Sequence, residues 1–329
     1  MRVLIVRLSA IGDVVHTLPV LAALHRAGHE VSWLVEPPAR PLLEGHALLR
    51  NVVAAAPARR ASLAAARATR RALHTERFDV ALDLQGLWKS AVWARLSGAR
   101  RVIGAERRAR REGLSAILAH ERVPIPPAAV HVIDKNLAVL RALGIEAVGG
   151  REFPLPPLPP VPADMPGNLA LLNPGGGWES KLWPAESYGA LAPHLKSRGL
   201  TPLVTWGPGE RDRAERVVAA SAGTAVLAPA TTLLEYTALA RGARLVVAAD
   251  TGPLHLACAV KAPVVALFGP TDPARNGPFS PDDVVVRKVP TCAPCHRRQC
   301  TVHDGVMRAL PVEDVAAAVD ARLARAGAR

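Results

Sequence analysis

Three consecutive glycines followed closely by a lysine form the first group that could do chemistry: Asn173-Pro174-Gly175-Gly176-Gly177-Trp178-Glu179-Ser180-Lys181. Glycines such as Gly175 and Gly176 let backbone approach a ligand closely, and exposed N–H groups there can hold phosphate oxygens. Lys181 adds a compact positive charge suited to a diphosphate. A flexible loop with a solvated lysine would have the same composition. The second group is Asp250-Thr251-Gly252-Pro253-Leu254-His255. Here an apolar run ends in an acid, turns on small residues and enters a helical pattern with proline in its first turn. A helix start of this kind presents unpaired N–H groups and roughly half a positive charge, so a diphosphate fits there without a metal ion. The plainer alternative makes Asp250 a helix cap and His255 a packed helix residue. In the third group, Trp206-Gly207-Pro208-Gly209-Glu210, a carboxylate after a strand can accept ribose hydroxyls, although acids favour first helical turns in any case. The fourth is Ser9-Ala10-Ile11-Gly12-Asp13. Asp13 is placed to take a proton from an acceptor hydroxyl, or simply to cap a helix.

All four groups fall in turns that follow strands. Residues 2–7 are mostly β-branched or leucine, as in a buried parallel strand. An apolar helical pattern runs from Val14 through Leu24 and ends at Gly28, and Val31–Val35 is the next strand. The same βαβ rhythm returns at 80–84 and 101–103, with an arginine-studded helix expected over 58–77. From Phe153 to Pro166 the proline density excludes a helix or a central strand, so this is a stiff, extended linker. Strands are then expected at 169–173, 202–206, 245–249 and 264–268, with helices at 185–198 (kinked at Pro193), 210–222, 232–241, 253–260 and 312–325. The expected fold is α/β, with two Rossmann-like doubly wound domains facing across a cleft. The boundaries are 1–155 for the first domain, 156–166 for the linker and 167–329 for the second. Ligands of such sheets bind at the carboxyl ends of the strands.

Composition narrows the function. At 329 residues the chain exceeds the roughly 250–300 that one core serves. No apolar run approaches the roughly 20 residues of a membrane span, and the start is too short for a signal segment, so a cytoplasmic protein is expected. A net charge of +13 invites a nucleic-acid partner, but aromatic residues are only 4% and no helix-turn-helix, zinc-finger or RNP-type pattern occurs. The basicity is either compositional background or a surface for anionic substrate or lipid head groups. Neither G-x-G-x-x-G nor a P-loop is present, which removes the main support for nicotinamide or P-loop chemistry. Cys258 lies in an apolar helical pattern. Cys292, Cys295 and Cys300, with His296 and His303 nearby, resemble zinc-ligand spacing, but none of the chemistry above needs a metal.

Taken in order, Gly12-Asp13-Val14-Val15-His16-Thr17-Leu18-Pro19, Asp250-Thr251-Gly252-Pro253-Leu254-His255-Leu256-Ala257 and Phe268-Gly269-Pro270-Thr271-Asp272-Pro273 resemble the bacterial heptosyltransferases, the family 9 glycosyltransferases of the GT-B fold. The resemblance runs from Met1 to about Arg308, and it makes 1–155 the acceptor-binding domain and 167–329 the nucleotide-sugar-binding one. It implies transfer of heptose from ADP-heptose onto the lipopolysaccharide inner core, inversion at the anomeric carbon, no cofactor and no metal. By the same resemblance Asp13 matches the general base, Lys181 the lysine on the donor phosphates, and Glu210 the ribose-binding acid. Asp250, Thr251, Gly252 and His255 match the diphosphate and sugar loop. The Glu210 match needs a small gap, and Val306 stands before Met307 where many members carry a further cysteine. The implied partners are ADP-heptose or a related nucleotide-sugar and an anionic glycolipid met at the inner membrane face, with no nucleic acid. Arginines of the first half, Arg59 and Arg60 foremost and including Arg107 and Arg108, would meet the acidic acceptor. Another nucleotide-sugar donor with a different glycan acceptor, or an epimerase, stays open as the alternative.

Overall fold

The computed structural model describes residues 1–56, 62–146, 151–163, 165–289, 291–295, 297–300 and 305–327. Two compact units follow one another along the chain, Met1–Pro157 and Leu158–Arg329. Each is built on its own six-stranded parallel sheet.

In the first unit the strands are β1 (Arg2–Val6), β2 (Glu30–Val35), β3 (Leu49–Ala54), β4 (Val80–Asp83), β5 (Arg101–Ala105) and β6 (Glu121–Val123). Their order across the sheet is β3-β2-β1-β4-β5-β6. In the second unit they are β7 (Leu169–Asn173), β8 (Thr201–Val204), β9 (Val226–Leu227), β10 (Leu245–Ala249), β11 (Val264–Phe268) and β12 (Val284–Arg287), ordered β12-β11-β10-β7-β8-β9. Both sheets therefore reverse their winding beside their first strand, between β1 and β4 and between β7 and β10. The central strands are apolar until their carboxyl ends, where Asp83 closes β4 and Asn173 closes β7, because helices cover both faces. Every residue of β7, β10 and β11 is buried. Trp183, Tyr188, Leu191 and Val319 pack over one of these faces, while Leu4, Leu34, Phe78 and Val102 build the corresponding core of the first unit.

Several helices depart from their sequence-based outlines. The apolar pattern expected as one helix over 14–24 is two, α1 (Ile11–Val15) and α2 (Leu18–Arg26). The break has a local cause. Pro19 has no N–H to continue the ladder and sits in the first turn of α2, where that donor is not needed. The arginine-rich helix begins later than expected, as α3 (Leu63–Thr75), with the Ser62 hydroxyl accepting from the Ala65 N–H at 3.1 Å. It is followed by α4 (Trp88–Leu96) and α5 (Val132–Ala138). In the second unit α6 (Ala185–Ser197) continues through Pro193. Then come α7 (Arg211–Ala220), α8 (Leu233–Gly242), α9 (Gly252–Ala259), α10 (Pro273–Asn276) and α11 (Val312–Gly327). Residues 151–162 form neither helix nor strand, in keeping with their prolines. Among the described residues no helix is long and apolar enough to cross a membrane.

Candidate active site

The turns after β7 and β10 are neighbours, since Asn173 and Ala248 stand in register where the two strands end. That brings together two segments about seventy residues apart in the chain. Lys181 donates from Nζ to the Asp250 carboxylate at 2.6 Å and to the Asp250 main-chain carbonyl at 3.2 Å. Three further donors converge on the same carboxylate. Thr271 Oγ1 lies 2.6 Å from Oδ2, Asn276 Nδ2 lies 2.5 Å from Oδ1, and His255 Nε2 lies 3.2 Å from Oδ1. Asp250 is only 3% exposed. Burial alone would raise its carboxyl, but the hydrogen bond from His255 and the charge of Lys181 outweigh that and hold it well below the usual carboxylate range. Asp250 is therefore a permanent anion whose work is to fix Lys181, which also lies 4.9 Å from the Trp178 ring centroid. It does not cap α9. Thr251 occupies that position, and its hydroxyl turns back to the Ala249 carbonyl at 3.2 Å, leaving the first turn without a side-chain cap. The N–H groups of that turn are orphaned by helix geometry and point the positive end of α9 outward beside Lys181.

The glycine run is shaped by neighbouring side chains. A Cβ at Gly175 would overlap the carboxylate of Glu210, and one at Gly176 would lie 2.5 Å from Thr251 Cγ2. A Cβ at Gly177 would meet nothing. Gly175 and Gly176 thus allow the turn after β7 to close on the turns after β8 and β10. Glu210 precedes α7, and its Oε2 accepts from the Gly207 N–H at 2.9 Å. Lys181, Thr251, Gly252, His255, Gly175, Gly176, Asp250 and Glu210 consequently form one cluster at the reversal point of the second sheet.

The corresponding point of the first sheet holds Asp13, at the third position of α1. Its Oδ2 accepts from the Ala10 N–H at 3.3 Å. Its Oδ1 is held at 2.9 Å by Nη2 of Arg7, whose side chain is 5% exposed against 40% for Asp13. Arg7 also donates to the Leu84 carbonyl and, from Nε, to the Asp13 carbonyl at 3.3 Å. The Asp13 carboxylate is thus held by Arg7 and the Ala10 N–H while its side chain stays partly exposed. Beside it, Lys89 bridges Ser9 Oγ at 3.0 Å and Glu36 Oε1 at 2.8 Å.

Comparison with known proteins shows the family of the chain. The model of glycosyltransferase family 9 (heptosyltransferase) matches residues 66–304. Lipopolysaccharide heptosyltransferase 1 of Pseudomonas aeruginosa is 33% identical, over 92% of this chain and 88% of that protein. The chain belongs to glycosyltransferase family 9. The Escherichia coli K12 protein of the same name is 31% identical, over 87% of this chain and 93% of that one. The E. coli heptosyltransferase WaaC solved with ADP-2-deoxy-2-fluoro heptose superposes with a TM-score of 0.78 at 27% identity, covering 97% of this chain and 99% of that one. The two doubly wound sheets are thus those of the GT-B class, and this family 9 member is a glycosyltransferase.

Sequence reasoning overlooked the residues that hold this candidate site in shape. Arg7 had a signal, because a charged residue closing a buried strand needs a partner. Asp83, at the end of β4, had the same one. It pairs at 2.6 Å with Arg110, both side chains being at most 2% exposed. Asp83 also accepts from the Gln85 and Gly86 N–H groups at 3.3 and 3.2 Å, and Gln85 Oε1 in turn accepts from the Leu8 N–H at 2.8 Å. A buried ion pair therefore braces the turn beside Asp13. Thr271 and Asn276 gave no local sign of bonding Asp250. Arg59, Arg60, His296 and His303 lie outside the described residues. Among the described residues no three His, Cys, Asp or Glu side chains come together as a metal site, so the spacing of Cys292, Cys295 and Cys300 has no such cluster behind it there.

Proposed function

We propose that this glycosyltransferase moves heptose from ADP-heptose onto the lipopolysaccharide inner core, inverting the anomeric carbon and using no metal ion. The observation that carries the donor side is the locked Lys181 beside the uncapped start of α9. Together they form a fixed cradle of N–H donors of the kind that stabilises charge as it develops on a departing diphosphate. The names of the relatives and the ADP-heptose analogue bound to WaaC support the choice of sugar and nucleotide. In this reading Glu210 accepts ribose hydroxyls, and the backbone at Gly175 and Gly176 lies along the phosphates. His255 and Thr251 complete the diphosphate and sugar loop.

An acceptor hydroxyl attacks the anomeric carbon, its proton passes to Asp13, and the bond from that carbon to the phosphate oxygen breaks, the electron pair leaving with ADP. Arg7 keeps the Asp13 carboxylate aimed while this occurs. Basic residues of the first unit meet the phosphorylated acceptor, and the protein works peripherally at the inner membrane face. The test is ADP release with ADP-heptose and deacylated inner-core oligosaccharide, followed by NMR of the product's anomeric configuration. ADP release with that acceptor and an inverted product is expected. ADP release with UDP- or GDP-sugars in its place would overturn the donor assignment, and retention would overturn Asp13 as the base.

A further inference from the structure

One surface of the first unit carries neither Asp13 nor any donor residue, and of the arginines assigned above to the acceptor it holds Arg107 and Arg108. Along α4 the residues Trp88, Val92 and Leu96 recur every four positions, so they form one row, and they are 42%, 40% and 40% exposed. The opposite face of the helix buries Ser90, Ala91 and Ala94. A 3₁₀ turn over Gly113–Leu118 packs against α4 and repeats the pattern, with Ser115 and Ala116 inward and Leu114 and Ile117 outward at 56% and 62% exposure. Adjacent elements thus turn two rows of large apolar side chains toward solvent, a grouping that marks an interaction surface. Its surroundings are basic. Arg95 lies on α4, Arg107 and Arg108 on the short turn that packs against Gly113–Leu118, and Arg111 between the two turns, all of them exposed. Among the described residues none of these four makes an ion pair, although ion pairs are common elsewhere on this unit. Glu112, the acid amid them, is turned onto the Trp88 N–H at 2.6 Å.

We propose that this face docks on the surface of an anionic lipid bilayer. Five apolar side chains, Trp among them, suit the boundary between head groups and acyl chains, and the unpaired arginines suit lipid phosphates. The charge complementarity selects a bilayer over a second copy of the chain, which would bring the same arginines against one another. The inference rests on the reading that the acceptor is a glycolipid, since only then must the enzyme reach a membrane.

The experiment is co-sedimentation of the full chain with vesicles of phosphatidylethanolamine and phosphatidylglycerol, compared with phosphatidylcholine alone, at low and high salt. Binding to the anionic vesicles, weakened by salt, is expected. Arg107→Gln with Arg108→Gln and Arg111→Gln should weaken it by about a hundred-fold at low salt, given that each basic residue near such a surface contributes roughly fivefold. Leu114→Ser with Ile117→Ser should weaken it about tenfold or more while leaving turnover on the deacylated, water-soluble acceptor unchanged. Equal partitioning of both variants and the parent chain overturns the proposal. So does a concentration-dependent dimer that the Leu114→Ser/Ile117→Ser variant loses, because the face is then an interface between copies. Vesicle binding that fails in the variants, with no turnover on any inner-core acceptor, leaves the docking face standing and refutes the heptose-transfer reading instead.

Discussion

Replacing Asp13 by alanine is the obvious test of the proton acceptor, and the structure predicts that it gives a mixed answer. The side chain of Arg7 is 5% exposed and Asp13 is its carboxylate partner at 2.9 Å. Breaking a fully buried pair typically costs about 3–5 kcal/mol. Asp13 is itself 40% exposed, and Arg7 keeps its bonds to the Leu84 and Asp13 carbonyls, so solvent screening reduces the expected loss to about 1–2 kcal/mol. The alanine variant therefore loosens the turn and removes the base at once. Asp13→Asn separates the two effects. Its amide oxygen can still accept from Arg7 and hold the turn, but the 3.3 Å bond from the Ala10 N–H and the charge opposite Arg7 are lost, at a combined cost of about 1–2 kcal/mol. It cannot take a proton. Turnover of Asp13→Asn, measured as ADP release with ADP-heptose and a deacylated acceptor, should fall about 10²–10⁴-fold. ADP affinity by calorimetry should stay near that of the parent, and the urea midpoint should fall no further than in the alanine variant. If Asp13→Asn keeps more than a tenth of the parent kcat, Asp13 is not the base. Loss of ADP binding in that variant would instead move Asp13 to the donor side.

Three other expectations follow from single contacts. Gly175→Ala should displace the Glu210 carboxylate and weaken ADP binding about tenfold or more, whereas Gly177→Ala, whose added methyl meets nothing, should stay within about 0.5 kcal/mol of the parent in both stability and affinity. Paired titrations and melts of the two variants check this. Arg110→Met leaves Asp83 buried without its partner and should lower unfolding free energy by about 3–5 kcal/mol in urea melts, with the first unit lost before the second. The Asp250 carboxyl is depressed in the folded state, so its contribution is fully present above the ordinary aspartate value of about 3.9 and is lost only as pH falls through its lower, folded value. The stability gap between the parent and Asp250→Asn should accordingly persist from about pH 8 to 5 and narrow only in strong acid. A gap that stays undiminished in strong acid would contradict this account of the charge at Asp250.

How much of this was legible beforehand depended on how local the cause was. The buried strands β7, β10 and β11 announce themselves because each must be apolar on both faces, and the glycine- and proline-bearing turns after them punctuate the same rhythm. The short strands β3, β6, β9 and β12 were missed, being partly exposed along their length and lacking that continuous apolar signal. The helix break at Pro19 was locally readable but was overridden by the apolar periodicity on either side.

The sequence by itself determined the two-part α/β plan and the turns in which acids, glycines and Lys181 stand, because strand and helix periodicities and turn chemistry act over a few residues. Only the tertiary structure decided what each polar group does. Asp250 became the anchor of Lys181 when Thr271 and Asn276, 21 and 26 residues further on, were folded onto it. Arg110 became the brace of Asp83 across 27 residues. A charge removed from water must find partners, and which partners it finds depends on how strands pair in a sheet, a relation that no local run of residues contains.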